Sequence, residues 1–553
     1  MASDAFEVAG LAADVGLTPR TRRRRAFGAW CARARWPLPA AAAVGAASCA
    51  LLLVQLGALI DALYRNADNA AVLLLSQSHP AGSIARIGDH PFYEAWWFMR
   101  ATAGLPGRLS LWQAAPFVVA FVGIAAVAGC AALVAGRAGF VVAAVGLAAM
   151  SPPLRAVMLV PEARVGLLLH AAALCAALLT VDRLARAGRM TGRRWAVATA
   201  GVAGFTAAGA TDQLLLPAAV IPYATAALVV WWCDRSAHSR TIATFAVGTA
   251  AAAVGLAMLV TRAMTAAGVL VNHFPVQLVP LAELRRSIGV TLHLFAILAG
   301  GGVHTVAGMV ALLGLAVVCV ALIRGAARLR PRPLEDRQRA RVLYVTFWAA
   351  ALLLTLGVVA VTSVSLDHGV YDAAQRYLLG AWCAVVALLA GGATSRLRAN
   401  VLLGAVAAFG VLNMTLNVSS LRQPWEYGPP PATDVALERF VLGRGAAVGY
   451  GGYWDVMPIG LHANGRLRVV PIVALGATGR WAGHFVAANN AWFRPHPGEG
   501  RSFLVTDVRL SVPYAPHSLP AVFGHPIASR RFGPLTVYIY AHDLARELDG
   551  LTA

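Results

Sequence analysis

Apolar runs long enough to cross a lipid bilayer recur along this chain, near 38–60, 113–135, 138–151, 166–181, 196–211, 214–232, 241–261, 303–323, 342–363, 377–392 and 400–417. A bilayer core is about 30 Å thick and takes about 20 apolar residues of helix to span. Inside it each backbone amide must find its partner within the segment, so these runs fold as helices. Only 13% of the 553 residues are charged, about half the share found in soluble domains. The sequence predicts a polytopic α-helical membrane protein of about eleven transmembrane helices.

Charge sets the orientation. All 46 basic residues are Arg, and the net charge is +21. With a cytoplasmic N-terminus, the segments assigned to the cytoplasm carry a net of +17, the outer loops +1 and the residues after 418 a net of +3. That asymmetry follows the positive-inside rule, so the basic balance reflects topology and not a nucleic-acid partner. Residues 1–37 hold Arg20, Arg22 to Arg25, Arg33 and Arg35 ahead of the first run. That run has the length of a full span and no convincing cleavage site, so it reads as a retained first helix. The seven cysteines include no CxxC pair and no metal-ligand spacing, which predicts neither a disulfide framework nor a Cys-based metal site.

Beyond 418 the composition changes. After the Pro-rich stretch 423–434, apolar runs shorten to strand length in AAVGYG, LRVVPIV, SFLVTDV and LTVYIY, with a helix at VALERFVL. These signals predict a soluble α/β domain over 418–553 on the extracytoplasmic side, after a membrane domain over 38–417.

The long first outer loop, 61–112, crowds Asp61, Asp68, Asp89 and Glu94 among His79, His90, Tyr93, Trp96 and Trp97. Carboxylates at the mouth of an apolar bundle are costly to desolvate and mark a candidate site. Asp68, about two turns past the first span, is placed to act as a general base or to cap the helix that follows. Asp89-His90-Pro91 opens FYEAWWFMRA, an aromatic helix suited to the interface plane, and Asp89 caps it or joins the site.

An acid just past the first span, then an Asp-His-Pro some twenty residues later ahead of an aromatic juxtamembrane helix, resembles the polyprenyl-phosphate-sugar-dependent glycosyltransferases of the GT-C fold. The protein mannosyltransferase and aminoarabinose transferase branch is the nearest likeness. Its first outer loop carries an acidic motif, often Asp-Glu, and then a His-Pro-Pro stretch. Here Asn69 stands where Glu is usual and Phe92 replaces the second Pro. The likeness covers the topology loosely and the first loop specifically. It implies Asp68, Asp89 and Glu162 as catalytic carboxylates, with His90 and Glu94 beside the substrate. Glu162 is the lone acid of the second outer loop, between Arg155 and Arg164; it shapes the site, holds a metal, or pairs with those arginines at headgroup level. The likeness fixes no cofactor and leaves a metal requirement open; a divalent cation, where one is used, would sit on Asp68 and Glu162.

Three further places suit substrate. Arg285 and Arg286 stand beside a span, where an Arg fork grips a lipid phosphate or snorkels to headgroups. Arg376-Tyr377 opens the tenth span; family members carry an Arg-Tyr there that grips the donor. Tyr453 and Trp454, in GYGGYWDVMP, suit sugar stacking or form a hairpin corner. Asp212 closes a short outer loop and is a weaker candidate for the cavity.

The implied activity is inverting transfer of a sugar from a polyprenyl-phosphate donor to an envelope lipid, glycan or protein, at the outer face of a bacterial inner (plasma) membrane. Its partners are that donor, that acceptor and membrane lipids, with no nucleic acid. Two other readings stay open: a lipid or glycolipid transporter or flippase, and a non-catalytic GT-C-like scaffold. Matched repeat halves with broken helices, the usual mark of a transporter, are absent from the sequence.

Overall fold

The computed structural model describes residues 37–552 except 65–69, 72–73, 76–81, 89–100, 103–104, 106–107, 160–164, 210–211, 213, 273–276, 368–371, 421–430, 464, 476–479, 486, 496–499 and 508–518. Seven helices among them are long and apolar enough to cross a membrane, and Pro37–Leu53 and Gln375–Gly391 are shorter apolar helices. The chain is a polytopic helical membrane protein.

In chain order the bundle comprises α1 (Pro37–Tyr64), α2 (Arg108–Ala148), α3 (Pro152–Leu159), α4 (Val165–Arg186), α5 (Gly192–Ala208), α6 (Ile221–Asp234), α7 (Ala237–Ala266), α8 (Leu284–Gly300), α9 (Val306–Ala326), α10 (Asp336–Val361), α11 (Leu379–Gly391) and α12 (Arg396–Ser420). Gly136 breaks α2 at φ 65° and ψ −156°, a left-handed conformation that a side chain would strain. The chain folds back there, setting Gly139 against the carbonyl of Ala131. The runs predicted at 113–135 and 138–151 are thus two arms of one hairpin, with Arg137 at its tip. Thr191, Ser236 and Thr305 start α5, α7 and α9 by accepting a backbone N–H in the first turn, as capping residues do.

The two ends of the bundle differ. At the end rich in arginine, Asp234 ties three helices together. Its carboxylate accepts from Arg339 Nη2 at 2.7 Å, from Leu334 N at 3.1 Å and from the hydroxyls of Ser236 and Ser239. Beside it, buried Asp182 takes Arg186 Nη2 at 2.8 Å and His238 Nε2 at 3.0 Å. Both carboxylates are buried and each is paired with an arginine, the condition under which a buried charge is tolerated.

At the opposite end, the short strands β1 (Ala85–Gly88), from the first long connection, and β2 (Val269–Asn272), after α7, run parallel, with Ala85 opposite Val269. A second core gathers there: Ala70, Ala71, Leu75, Ala85 and Ile87 join Met264 and Val269 in one cluster with the residues after 437.

Residues 431–552 build helices α13 (Pro431–Leu442) and α14 (Tyr453–His462) with strands β3 (Val448–Gly451), β4 (Arg468–Ala474), β5 (Trp481–His484), β6 (Ala488–Asn489) and β7 (Ser502–Asp507), then helix α15 (Leu519–Phe523) and strands β8 (Ala528–Phe532), β9 (Leu535–Tyr540) and β10 (Leu551–Thr552). The sheet order is β10-β5-β4-β3-β7-β9-β8, with β3 parallel to both β4 and β7. The four strands and the helix read from the sequence are all present. The chain reaches β4 from β3 through α14, a crossover and not a hairpin corner. β6 leaves this sheet and pairs antiparallel with β1, so the unit is stitched to the first connection: Asn489 Nδ2 donates to Ser83 Oγ at 2.9 Å, and Ile84 N donates to Asn490 Oδ1 at 2.9 Å.

Candidate functional site

The polar side chains that mark a site lie at the end carrying the strands. Helix α8 lies across that end. Near its start the Ser287 hydroxyl donates to the carbonyl of Ala360, at the close of α10. Near its finish the carbonyl of Leu298 accepts from Ser151, just after α2. The stripe Ser287, Thr291, Leu294 and Leu298 is buried, which is helical spacing and explains why this segment packs flat.

Helix α3 packs against α8, α12 and the 3-10 segment Asp372–Leu378. Arg155 on α3 is only 3% exposed. Burial pushes its guanidinium down to about 10, so it stays protonated at neutral pH. On the adjoining 3-10 segment Arg376 is half-buried, its guanidinium carbon 5.4 Å from the centre of the Tyr377 ring, within cation–π range. Gln375 and Tyr377 beside it are buried. Two arginines, one buried and one half-buried, thus stand on touching elements, here termed the cradle, and an Arg fork matches phosphate oxygens.

No family model, curated protein or solved structure matches this chain. The site therefore rests on its own geometry.

Of the predicted site residues, Arg376 and Tyr377 belong to this cradle. Arg285 and Arg286 sit exposed in the first turn of α8, with Arg286 4.0 Å from Glu283. Along α8, Phe295 reaches Trp382 of α11, ring centres 6.0 Å apart, close in sequence to Arg376. Arg286 is about 14 Å of helix rise away from Phe295. Tyr453 is buried in the core of the sheet unit, edge-on to Trp454 and to His484, and Trp454 is half exposed. Both stand in the first turn of α14, after β3. Asp212 is buried and accepts from Leu214 N at 2.9 Å, the turn that leads into the π-helical segment Leu216–Val220. Asp68, Asp89, His90, Glu94 and Glu162 lie outside the described residues, and with Asp68 and Glu162 the donors named for a divalent cation. Ala70 and Ala71, described soon after Asp68, are buried in the second core.

Arg155 is the residue whose role the sequence reading missed, naming it only as a neighbour of Glu162. A signal was present. Ser151, Leu154, Arg155 and Met158 recur at three- and four-residue spacing, one helix face, and all four are buried.

Proposed function

We propose that this protein is a membrane glycosyltransferase that moves a sugar from a polyprenyl-phosphate donor to an envelope acceptor on the side of the sheet unit, with inversion. The observation that carries the reading is the pair of sunken arginines, Arg155 and Arg376, at that end of the bundle. A lipid phosphate arriving from the bilayer meets charge there, where a low dielectric strengthens it. The GT-C-like arrangement goes with it: eleven crossings, arginine-rich end in the cytoplasm and sheet unit outside. It is supported by the α2 hairpin and by the gathering of β1, β2 and the sheet unit at the end opposite the one that holds Asp234 and Asp182.

In this reading Asp68 takes the proton of the acceptor hydroxyl. The acceptor oxygen bonds to the anomeric carbon from the face opposite the phosphate. The carbon–oxygen bond to phosphate breaks, leaving its electron pair on the departing polyprenyl phosphate. Arg376 and Arg155 stabilise the charge that develops there, as fixed donors that need no reorganisation. Asp89 and Glu162 assist by orienting the acceptor, and Trp454 offers a ring for a sugar face.

The test compares envelope lipids and glycans of cells carrying the wild-type protein with those carrying Asp68→Asn, by mass spectrometry. One glycosylated species should vanish in the variant while the protein remains in the membrane at normal level. Unchanged glycans in cells lacking the protein altogether would sink the activity, and unchanged glycans in Asp68→Asn alone would remove Asp68.

A further inference from the structure

A second binding feature lies at the arginine-rich end, remote from the cradle and independent of the proposed activity. The start of α1 and the two arms of the α2 hairpin enclose a groove of about 750 Å³, within the range of small-molecule sites. Pro39 and Ala42 form one wall, and Ala132, Phe140 and Val141 the other. The lining carries a single charged side chain, Arg137, beside the Gly136 turn. Among the described residues Arg137 pairs with no carboxylate, and it is exposed.

We propose that this groove holds one anionic phospholipid of the leaflet at that end, its acyl chain along the apolar walls and its phosphate on Arg137. The shape explains the chain: the walls have no polar group to meet a sugar, a nucleotide or a peptide backbone. The charge explains the headgroup. An arginine at the mouth of an apolar groove binds phosphate and repels a cationic partner, and a basic residue near a membrane surface is worth about 1 kcal/mol toward anionic lipid. The sequence strengthens the field, because seven arginines fall between residues 20 and 35, directly ahead of the first groove residue, Leu38. A neutral lipid would gain nothing from that arrangement.

The experiment is native mass spectrometry of the full-length protein in detergent, with phosphatidylglycerol or phosphatidylcholine added at equal concentration. Wild type should retain one phosphatidylglycerol in preference to phosphatidylcholine, undisturbed by inorganic phosphate. Arg137→Gln should lower phosphatidylglycerol retention about fivefold and leave phosphatidylcholine unchanged. Ala42→Phe, which fills the groove, should abolish retention of both. If Ala42→Phe does not fold, Ala132→Leu takes its place, with size-exclusion profiles as the check. Equal retention of the two lipids by wild type, full phosphatidylglycerol retention by Arg137→Gln, or retention that ignores the groove-filling variant would each overturn the proposal. So would displacement by inorganic phosphate, which would make Arg137 a free-anion site.

Discussion

Asn413, buried on α12, donates its amide to the carbonyl of Ala149 at 2.9 Å and to that of Ala299 at 3.3 Å. Asn417, one turn on, does the same for Met150 at 2.6 Å. The last carbonyls of a helix have no partner in their own helix, and here two such ends, those of α2 and α8, are buried where water is scarce. The two asparagines supply the missing donors and so fix how α2, α8 and α12 meet beneath the cradle.

Replacing Asn413 with Leu should therefore cost about 1–3 kcal/mol, since it leaves buried carbonyls unpaired. Thermal unfolding of the purified protein in detergent would show it as a lowered midpoint. A midpoint equal to wild type would mean that water or another donor reaches those carbonyls.

Asp234 makes a second prediction, at the arginine-rich end. Asp234→Ala removes the carboxylate from Arg339, whose side chain is 8% exposed, and from two serines. Breaking a buried pair on one side costs about 3 kcal/mol or more. Asp234→Asn keeps part of the hydrogen bonding and should lose less, so the order of midpoints is wild type, Asn, Ala. The reverse order would mean that packing, not charge, holds that corner.

Gly268 precedes β2 at φ 80°, and a Cβ there would lie 2.6 Å from the carbonyl oxygen of Ser83. Gly268→Ala combines backbone strain with a backbone clash, together about 1–3 kcal/mol. The loss is local to the pairing of β1 with β2. Limited proteolysis should cut the variant in or near residues 83–88 faster than wild type, and equal rates would count against the pairing.

Within the proposed reaction, Arg155→Gln and Arg376→Gln should each lower turnover about a hundredfold or more, the scale of losing one preorganised donor. Arg376→Lys should retain part of it. The pH dependence has a definite sign. Burial holds the Arg155 guanidinium down to about 10 in the fold, well below its ordinary value. Below pH 9 it is charged in both folded and unfolded chain and contributes no pH dependence. Above about 10, and up to the ordinary guanidinium value, the unfolded chain binds the extra proton, so this group makes stability rise with pH while its charge, and activity, fall. Activity that falls between pH 7 and 9 in wild type and is flat in Arg155→Gln would contradict that assignment.

Periodicity and length made the helices legible. The run predicted at 241–261 lies within α7, and that at 342–363 overlaps α10 up to its end at Val361, since nothing but helix satisfies an apolar backbone in lipid. Arg376-Tyr377 stood out in the sequence because it places an Arg beside an aromatic residue at a span start. Arg155 was not singled out, because the helical spacing of Ser151, Leu154, Arg155 and Met158 sits in a short connection between spans and went unread. Arg376 stood ahead of Arg285 and Arg286 in the sequence because of its aromatic neighbour at a span start, and the structure places the latter two exposed in the first turn of α8.

The sequence by itself determined the class of the protein, the approximate span ends and the charge asymmetry, because these depend on local composition and on the cost of charge in lipid. It also determined the strand-rich character of residues 431–552. The tertiary structure decided that α8 lies across one end, that β1, β2 and β6 form one small sheet, and that Arg155 adjoins the segment of Arg376. Those outcomes depend on carbonyls and side chains far apart in sequence finding partners where water is excluded, and no local pattern encodes such pairings.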